Sequence, residues 1–300
     1  MKFSIFLCIA TSVFVFFLGI YVLKIQDRKK IQKAFAALCT LISIWLLAFS
    51  VRHYVKIEYR QIALDWMLIP PILFPILLDR IISLIADDNH KISKFQLSLN
   101  TILSIYFITT ALTCSFSKIE DVETFSYSST IHYHLFMAFI FTYGAISISK
   151  IMYLLKRDSG NQRARISLML GGIINLLLFT AILLYILPIF GIFLGYFVSI
   201  GVLISVILWS IAILQFDAFQ IKYSVIEGKK VPLLSQFSLS LFLTIFKLVD
   251  PSGYRISNFQ YKLRFTSSVL YSDLTLRSKT ELGLHQRAEI LARRYDPFIK

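Results

Sequence analysis

Seven apolar stretches occupy the first 216 or so residues, and the cationic content of the joins between them alternates. The stretches run Phe3–Leu23, Ala34–Val51, Ile62–Ile82, Phe95–Cys114, Leu135–Met152, Ser167–Leu187 and Phe190–Gln215. At about 1.5 Å rise per residue each is roughly 27–39 Å long, which matches a hydrocarbon core of about 30 Å. A backbone in lipid has to satisfy its own hydrogen bonds, so segments of this length and apolarity are expected as helices. The expected fold class is an all-α polytopic membrane protein, a seven-transmembrane-helix bundle over residues 1–222. A small cytosolic α+β or helical tail, 223–300, follows it.

The joins set the expected orientation. The first carries Lys24, Arg28, Lys29, Lys30 and Lys33, the third Arg80, Lys91 and Lys94, and the fifth Lys150, Lys156, Arg157, Arg163 and Arg165, 13 cations in all. The second carries Arg52, Lys56 and Arg60, the fourth Lys118 and the sixth none, four in all. Cationic joins remain cytoplasmic, so the N-terminus is expected outside and the C-terminus inside. A signal peptide is the competing reading of the first stretch. Its apolar run is too long for a typical signal core, only Lys2 precedes it, and no small-x-small cleavage site follows.

The bulk numbers agree with a membrane protein: 57% hydrophobic residues and a mean hydropathy of +0.71. The net charge of +14 is explained by topology and by contact with anionic lipid, so no nucleic acid is expected as a partner. Cys8, Cys39 and Cys114 lie on or near different helices without paired spacing. Neither a disulfide framework nor a metal site is indicated, and no cofactor is expected.

The third stretch is the most irregular, with Pro70, Pro71 and Pro75 removing helix donors and predicting a kink. Asp65, His53, His132 and His134 fall near the outer ends of stretches, and the fourth join adds Glu120, Asp121 and Glu123. Their alternatives are solvated helix ends, a ligand-facing rim or a metal-sensitive mouth. Asn100 and Asn175 are expected as hydrogen-bond glue between helices, and Gly171-Gly172 as a close packing point. The seventh stretch has no lysine to carry a retinal Schiff base. No GxSxG, HExxH or phosphate-loop pattern appears, so no catalytic residue is assigned.

In the tail, 12 cationic residues stand against six acidic ones. The start of the tail reads as an interfacial amphipathic helix over Leu234–Leu248, as a strand over Phe237–Ile245, or as an eighth membrane helix at Val231–Phe246. The favoured reading joins that strand through Asp250-Pro251-Ser252-Gly253 to a second one, where Phe259, Tyr261, Leu263 and Phe265 alternate with polar residues. Ser278-Lys279-Thr280-Glu281 reads as a capping box opening a last helix that Asp296-Pro297 ends.

Several strings resemble a known family, the seven-helix N-terminal sensor region of bacterial histidine kinases. They are Ile44-Trp45, the proline-rich third stretch, Asn161-Gln162-Arg163-Ala164-Arg165 followed by Gly171-Gly172, and the ending from Trp209 through Asp217-Ala218-Phe219-Gln220-Ile221. The likeness covers roughly 1–222. It implies an input module in the bacterial cytoplasmic membrane that passes a signal along the seventh helix. A kinase output is not expected: His285 is followed by Gln286-Arg287 rather than an acidic residue, and 13 residues remain after those. The leading expectation is a non-catalytic sensor whose ligand-binding residues are Asp65, Trp66, Pro70, Pro71, His132 and Tyr143. Asp217 and Phe219 would form its output joint. The bilayer, a cytosolic signalling protein acting in trans and a second copy of the chain are the partners considered. A small-solute transporter or permease and a membrane scaffold are the alternatives.

Overall fold

Among the described residues, seven helices are long and apolar enough to cross a membrane: Ser4–Lys24, Lys30–Val51, Ile57–Ala86, Lys94–Leu112, Ile131–Arg157, Gly160–Ile189 and Gly195–Leu214. The computed structural model describes residues 2–24, 30–121, 125–214 and 233–299. These divide into two units, Met1–Arg157 with Ile166–Ile213, and Asp158–Arg165 with Leu214–Lys300.

In the first unit, α1 (Lys2–Lys24) and α2 (Lys30–Val51) lie together. Their contact is set by small residues. Ser12 Oγ donates to Ser43 O at 2.8 Å and Ser43 Oγ returns to Ser12 O at 3.0 Å. A Cβ on Gly19 would meet that of Cys39 at 2.7 Å, so the backbones approach only because glycine stands there.

The third span is broken, as its prolines predict. It comprises α3 (Arg60–Trp66), α4 (Ile69–Ile72) and α5 (Phe74–Ala86), separated by turns at Met67-Leu68 and Leu73. In a regular helix, Pro70, Pro71 and Pro75 would each have to donate one turn back, and proline has no N–H to give. α6 (Lys94–Leu112) is the fourth span, and α7 (Ile131–Arg157) is the fifth.

Between those two spans the chain makes an antiparallel hairpin, β1 (Ser117–Asp121) and β2 (Ser126–Ser129), in the register Ser117–Ser129 and Ile119–Tyr127. The sixth span is α8 (Gly160–Thr180), a π-helical stretch Ala181–Ile186 and α9 (Leu187–Ile189). The seventh is α10 (Val198–Leu214). Asn175 Nδ2 donates to Gly201 O at 2.8 Å and to Ser205 Oγ at 2.9 Å, tying the sixth span to the seventh.

The second unit is helical, and the strand reading of its tail is overturned. α11 (Leu233–Val249), α12 (Pro251–Lys279) and α13 (Leu284–Ile299) replace the expected hairpin and last helix. Asp250-Pro251 is a helix start rather than a strand turn: Asp250 Oδ1 accepts from Gly253 N at 2.9 Å, and Pro251 fills the first helical position. Asp250 Oδ2 also accepts from Gly160 N at 2.6 Å. These donors hold the Asp250 carboxyl below the usual carboxylate range.

Tyr261, Phe265 and Val269, spaced by four, share the face that packs on Tyr295 and Leu291. Their helical spacing was hidden inside the local alternation. Arg287 pairs with Asp273 at 3.0 Å and Glu289 with Arg293 at 2.7 Å. The expected capping box is also displaced. Thr280 ends α12, α13 opens at Leu284, and the helix continues past Asp296-Pro297.

Candidate functional site

Five spans, the second, third, fifth, sixth and seventh, enclose a cavity of about 70 Å³. Its wall is apolar, with Trp45, Pro71, Pro75, Tyr143, Ser147 and Leu184 representing four of them. Trp45 is fixed by edge contacts to Phe49 and Phe74, with ring centroids 6.4 and 5.8 Å away.

Two polar atoms on this wall are sealed from solvent and make no hydrogen bond: Trp45 Nε1 and Ser147 Oγ. The serine is unusual among its neighbours. Ser43, Ser50 and Ser149 each donate to the carbonyl one turn back, at 2.8, 2.6 and 2.9 Å. A buried donor without a partner costs about 1–3 kcal/mol, and two beside one cavity mark where a ligand's polar atom would be met.

The sixth span's irregularity faces the same space. Pro188 cannot donate to Leu184 O, and that freed carbonyl accepts from Tyr133 Oη at 2.6 Å instead. Tyr143 lends its ring to the wall while its hydroxyl donates to Asn100 Oδ1, which links the fifth span to the fourth. Nearer the end that carries the cationic joins, Asp79 Oδ1 pairs with Lys150 Nζ at 2.5 Å, and Gln96 Nε2 donates to Asp79 Oδ2 at 2.9 Å.

Of the residues singled out in the sequence, Pro71 and Tyr143 lie on the wall. Trp66 is 47% exposed, on the outside of the bundle. His132 Nδ1 shares a hydrogen bond of 2.7 Å with Tyr106 Oη, and His134 Nδ1 one of 3.1 Å with Tyr185 Oη. Pro70 sits in α4 but off the wall.

Asp65 is fully buried and has a different task. Its carboxylate accepts from Phe116 N at 3.0 Å and Ser117 Oγ at 2.6 Å, which anchors β1 to α3. Gln61, one turn earlier, acts as a strand partner: its amide donates to Ser117 O at 2.8 Å and accepts from Ile119 N at 3.0 Å. Asp217 and Phe219 lie outside the described residues. Trp45 and Ser147 were not among the expected ligand residues; an indole N–H in an apolar helix, which needs a partner somewhere, was the available signal.

A family model described as the N-terminal 7TM region of histidine kinase matches residues 7–222. The chain belongs to this family. No curated protein and no solved structure matches it.

The 7TM region of histidine kinases is a sensory part, not itself catalytic, and the seven apolar helices make the chain a multi-pass membrane protein. Two strings that carried the resemblance now have physical roles. Trp45 of the second span is a cavity wall. Gly172 makes room for Trp209: a Cβ there would stand 2.3 Å from the indole Nε1, whereas on Gly171 the nearest atom would be 3.9 Å away.

Proposed function

We propose that the chain is a sensory input module whose ligand occupies the cavity between the kinked third span and the fifth to seventh spans. The carrying observation is that the two unpartnered donors, the proline-broken third span and the π-helical sixth span all meet at that one space. A ligand there alters the balance between two arrangements of these irregular segments, and only its differential affinity for them does so. The chain performs no catalysis, and the movement leaves along the seventh span through Asp217 and Phe219.

The reader is the tail, a cytosolic signalling protein in trans, or a second copy. Ile256, Phe259, Leu263 and Leu270 offer it an exposed apolar row on α12. The 13-to-four charge asymmetry supports a bacterial inner-membrane protein with its N-terminus outside and its tail in the cytoplasm.

Filling the cavity from within should imitate the ligand. Ser147→Leu removes one unpartnered hydroxyl and occupies the space. Spin labels at the exposed positions 66 and 204, on the third and seventh spans, should show a shifted distance distribution with thermal stability retained. An unchanged distribution in a folded, filled variant would sink the reading.

A further inference from the structure

Arg52, in the second join, is not a solvated topogenic charge. Its guanidinium lies 3.9 Å over the Phe49 ring and 5.1 Å from that of Phe125. Phe125 takes a left-handed φ of 57° in the hairpin turn, where its ring is buried. One Arg52 nitrogen reaches only the Met67 sulfur, at 3.8 Å, and Nε is sealed without a partner. Among the described residues Arg52 makes no ion pair. The buried Asp65 carboxylate is bound to Phe116 N and Ser117 Oγ. Burial pushes the guanidinium down to about 10, so at neutral pH it remains a cation, and the ring contacts offset its desolvation without supplying a hydrogen-bonded counter-charge.

This cation lines a chamber of about 40 Å³ with Tyr127, Tyr133 and Phe193. Trp45, Leu68 and Leu184 border both this chamber and the apolar cavity. A water needs roughly 10–15 Å³ of such space. The chamber therefore suits a head of about three or four heavy atoms, and the cavity a chain of about five to seven.

Resting on the cavity reading above, we propose that the ligand is an amphipathic acid: one anionic head paired with Arg52, and a short apolar chain passing Trp45 into the bundle. The head pairs with the guanidinium in a chamber that Tyr127 and Tyr133 also line. A neutral molecule of the same shape would fill the cavity but leave the cation unpaired. The same chemistry is available from a free acid or from an anionic lipid whose chain enters between spans.

The test uses the full chain in nanodiscs of zwitterionic lipid, with octanoate and octanol as matched probes read by thermal shift at neutral pH. Octanoate should bind the wild type roughly 10–100-fold more tightly than octanol, the range expected of a charge-assisted hydrogen bond. Arg52→Gln should remove that preference and Arg52→Lys should keep part of it. If octanol binds as well as octanoate, the head-group assignment falls while the cavity reading stands.

Failure of both probes in the wild type overturns the assignment too, and if Ser147→Leu also leaves the spin-label distances unmoved, the cavity reading falls with it. The wild-type comparison needs no variant to fold. Repeating it with phosphatidylglycerol replacing part of the lipid separates the sources. Loss of octanoate binding means the head comes from the bilayer; unchanged binding means a free acid.

Discussion

Two adjacent glycines in α8 should respond oppositely to the same substitution. A Cβ on Gly172 would stand 2.3, 2.7 and 3.1 Å from three atoms of the Trp209 indole. To reach an ordinary contact of 3.4 Å, the indole must retreat by about 1.1 Å. It has nowhere to go: Trp209 is 1% exposed, and its Nε1 donates to Met169 O at 3.3 Å, a bond that such a shift breaks.

Overpacking of this kind costs about 1–3 kcal/mol, and the lost hydrogen bond about 1 kcal/mol more. At roughly 2–4 °C per kcal/mol for a domain of this size, Gly172→Ala should lower the midpoint by about 4–16 °C. Gly171→Ala meets nothing closer than 3.9 Å, and alanine is the better helix former by about 1 kcal/mol, so it should be neutral or stabilising. The assay is thermal unfolding of both variants in one lipid environment. Adding Trp209→Phe to Gly172→Ala should recover part of the loss non-additively. If Gly172→Ala proves as stable as Gly171→Ala, the close approach of the sixth and seventh spans is wrong.

Asp65→Ala should loosen the hairpin rather than weaken ligand binding directly. It strips acceptors from the Phe116 amide and the Ser117 hydroxyl, at about 1–3 kcal/mol for each donor left buried. Hydrogen exchange at 116–119 should quicken; unaltered protection there would contradict the anchoring role. In the tail, the Asp250 carboxyl is held below its ordinary value, so its unfolded form binds the proton more tightly. Its stabilising contribution is therefore complete above the unfolded value near 3.9 and fades as pH falls through the lower folded one. Thermal stability of the tail should be flat from neutrality to about pH 5 and then drop. Asp250→Ala should lose about 0.5–2 kcal/mol at neutral pH and lack that acid limb. An identical limb in the variant would assign the titration to another group.

The spans were legible because length and apolarity act over about 20 residues, where no local preference competes. The third-span breaks were legible for the same reason in reverse, since a proline's missing donor is independent of context. The hairpin at 117–129 was not. Its short strands carry few apolar residues beyond the Ile119–Tyr127 pair, and the side chains of Asp65 and Gln61 that hold it lie more than 50 residues away in sequence. The tail misled through Tyr261 and Phe265, which satisfy both a period of two and a spacing of four. Asp250-Pro251, equally at home in a turn or a helix start, did not separate the readings. Asp65 was a ligand candidate because it falls with His53, His132 and His134 near the outer ends of the stretches. Here both its oxygens accept from the hairpin, from Phe116 N and Ser117 Oγ.

What distinguishes the third span from the sixth and seventh is stiffness. The third is held on either side of its breaks, by Asp65 to β1 and by Asp79 to Lys150, with 13 residues and three prolines between those carboxylates. Its middle can bow while those two anchors stay. The sixth and seventh spans are locked together by Gly172 against Trp209, Gly201 against Phe179, and Asn175 on Ser205. Under the proposed sensory function, a push on the sixth span should therefore reach the seventh with less loss than a push on the third. Moving a two-state equilibrium from 1:99 to 99:1 needs about 5.5 kcal/mol of differential binding. At about 0.8 kcal/mol per buried methylene, that is roughly seven methylenes. The apolar cavity admits about five to seven heavy atoms, so its chain contacts suffice only if the second arrangement closes the cavity almost completely. A partial closure would leave the balance to the Arg52 contact, and the anionic head would then decide the switch as well as the affinity.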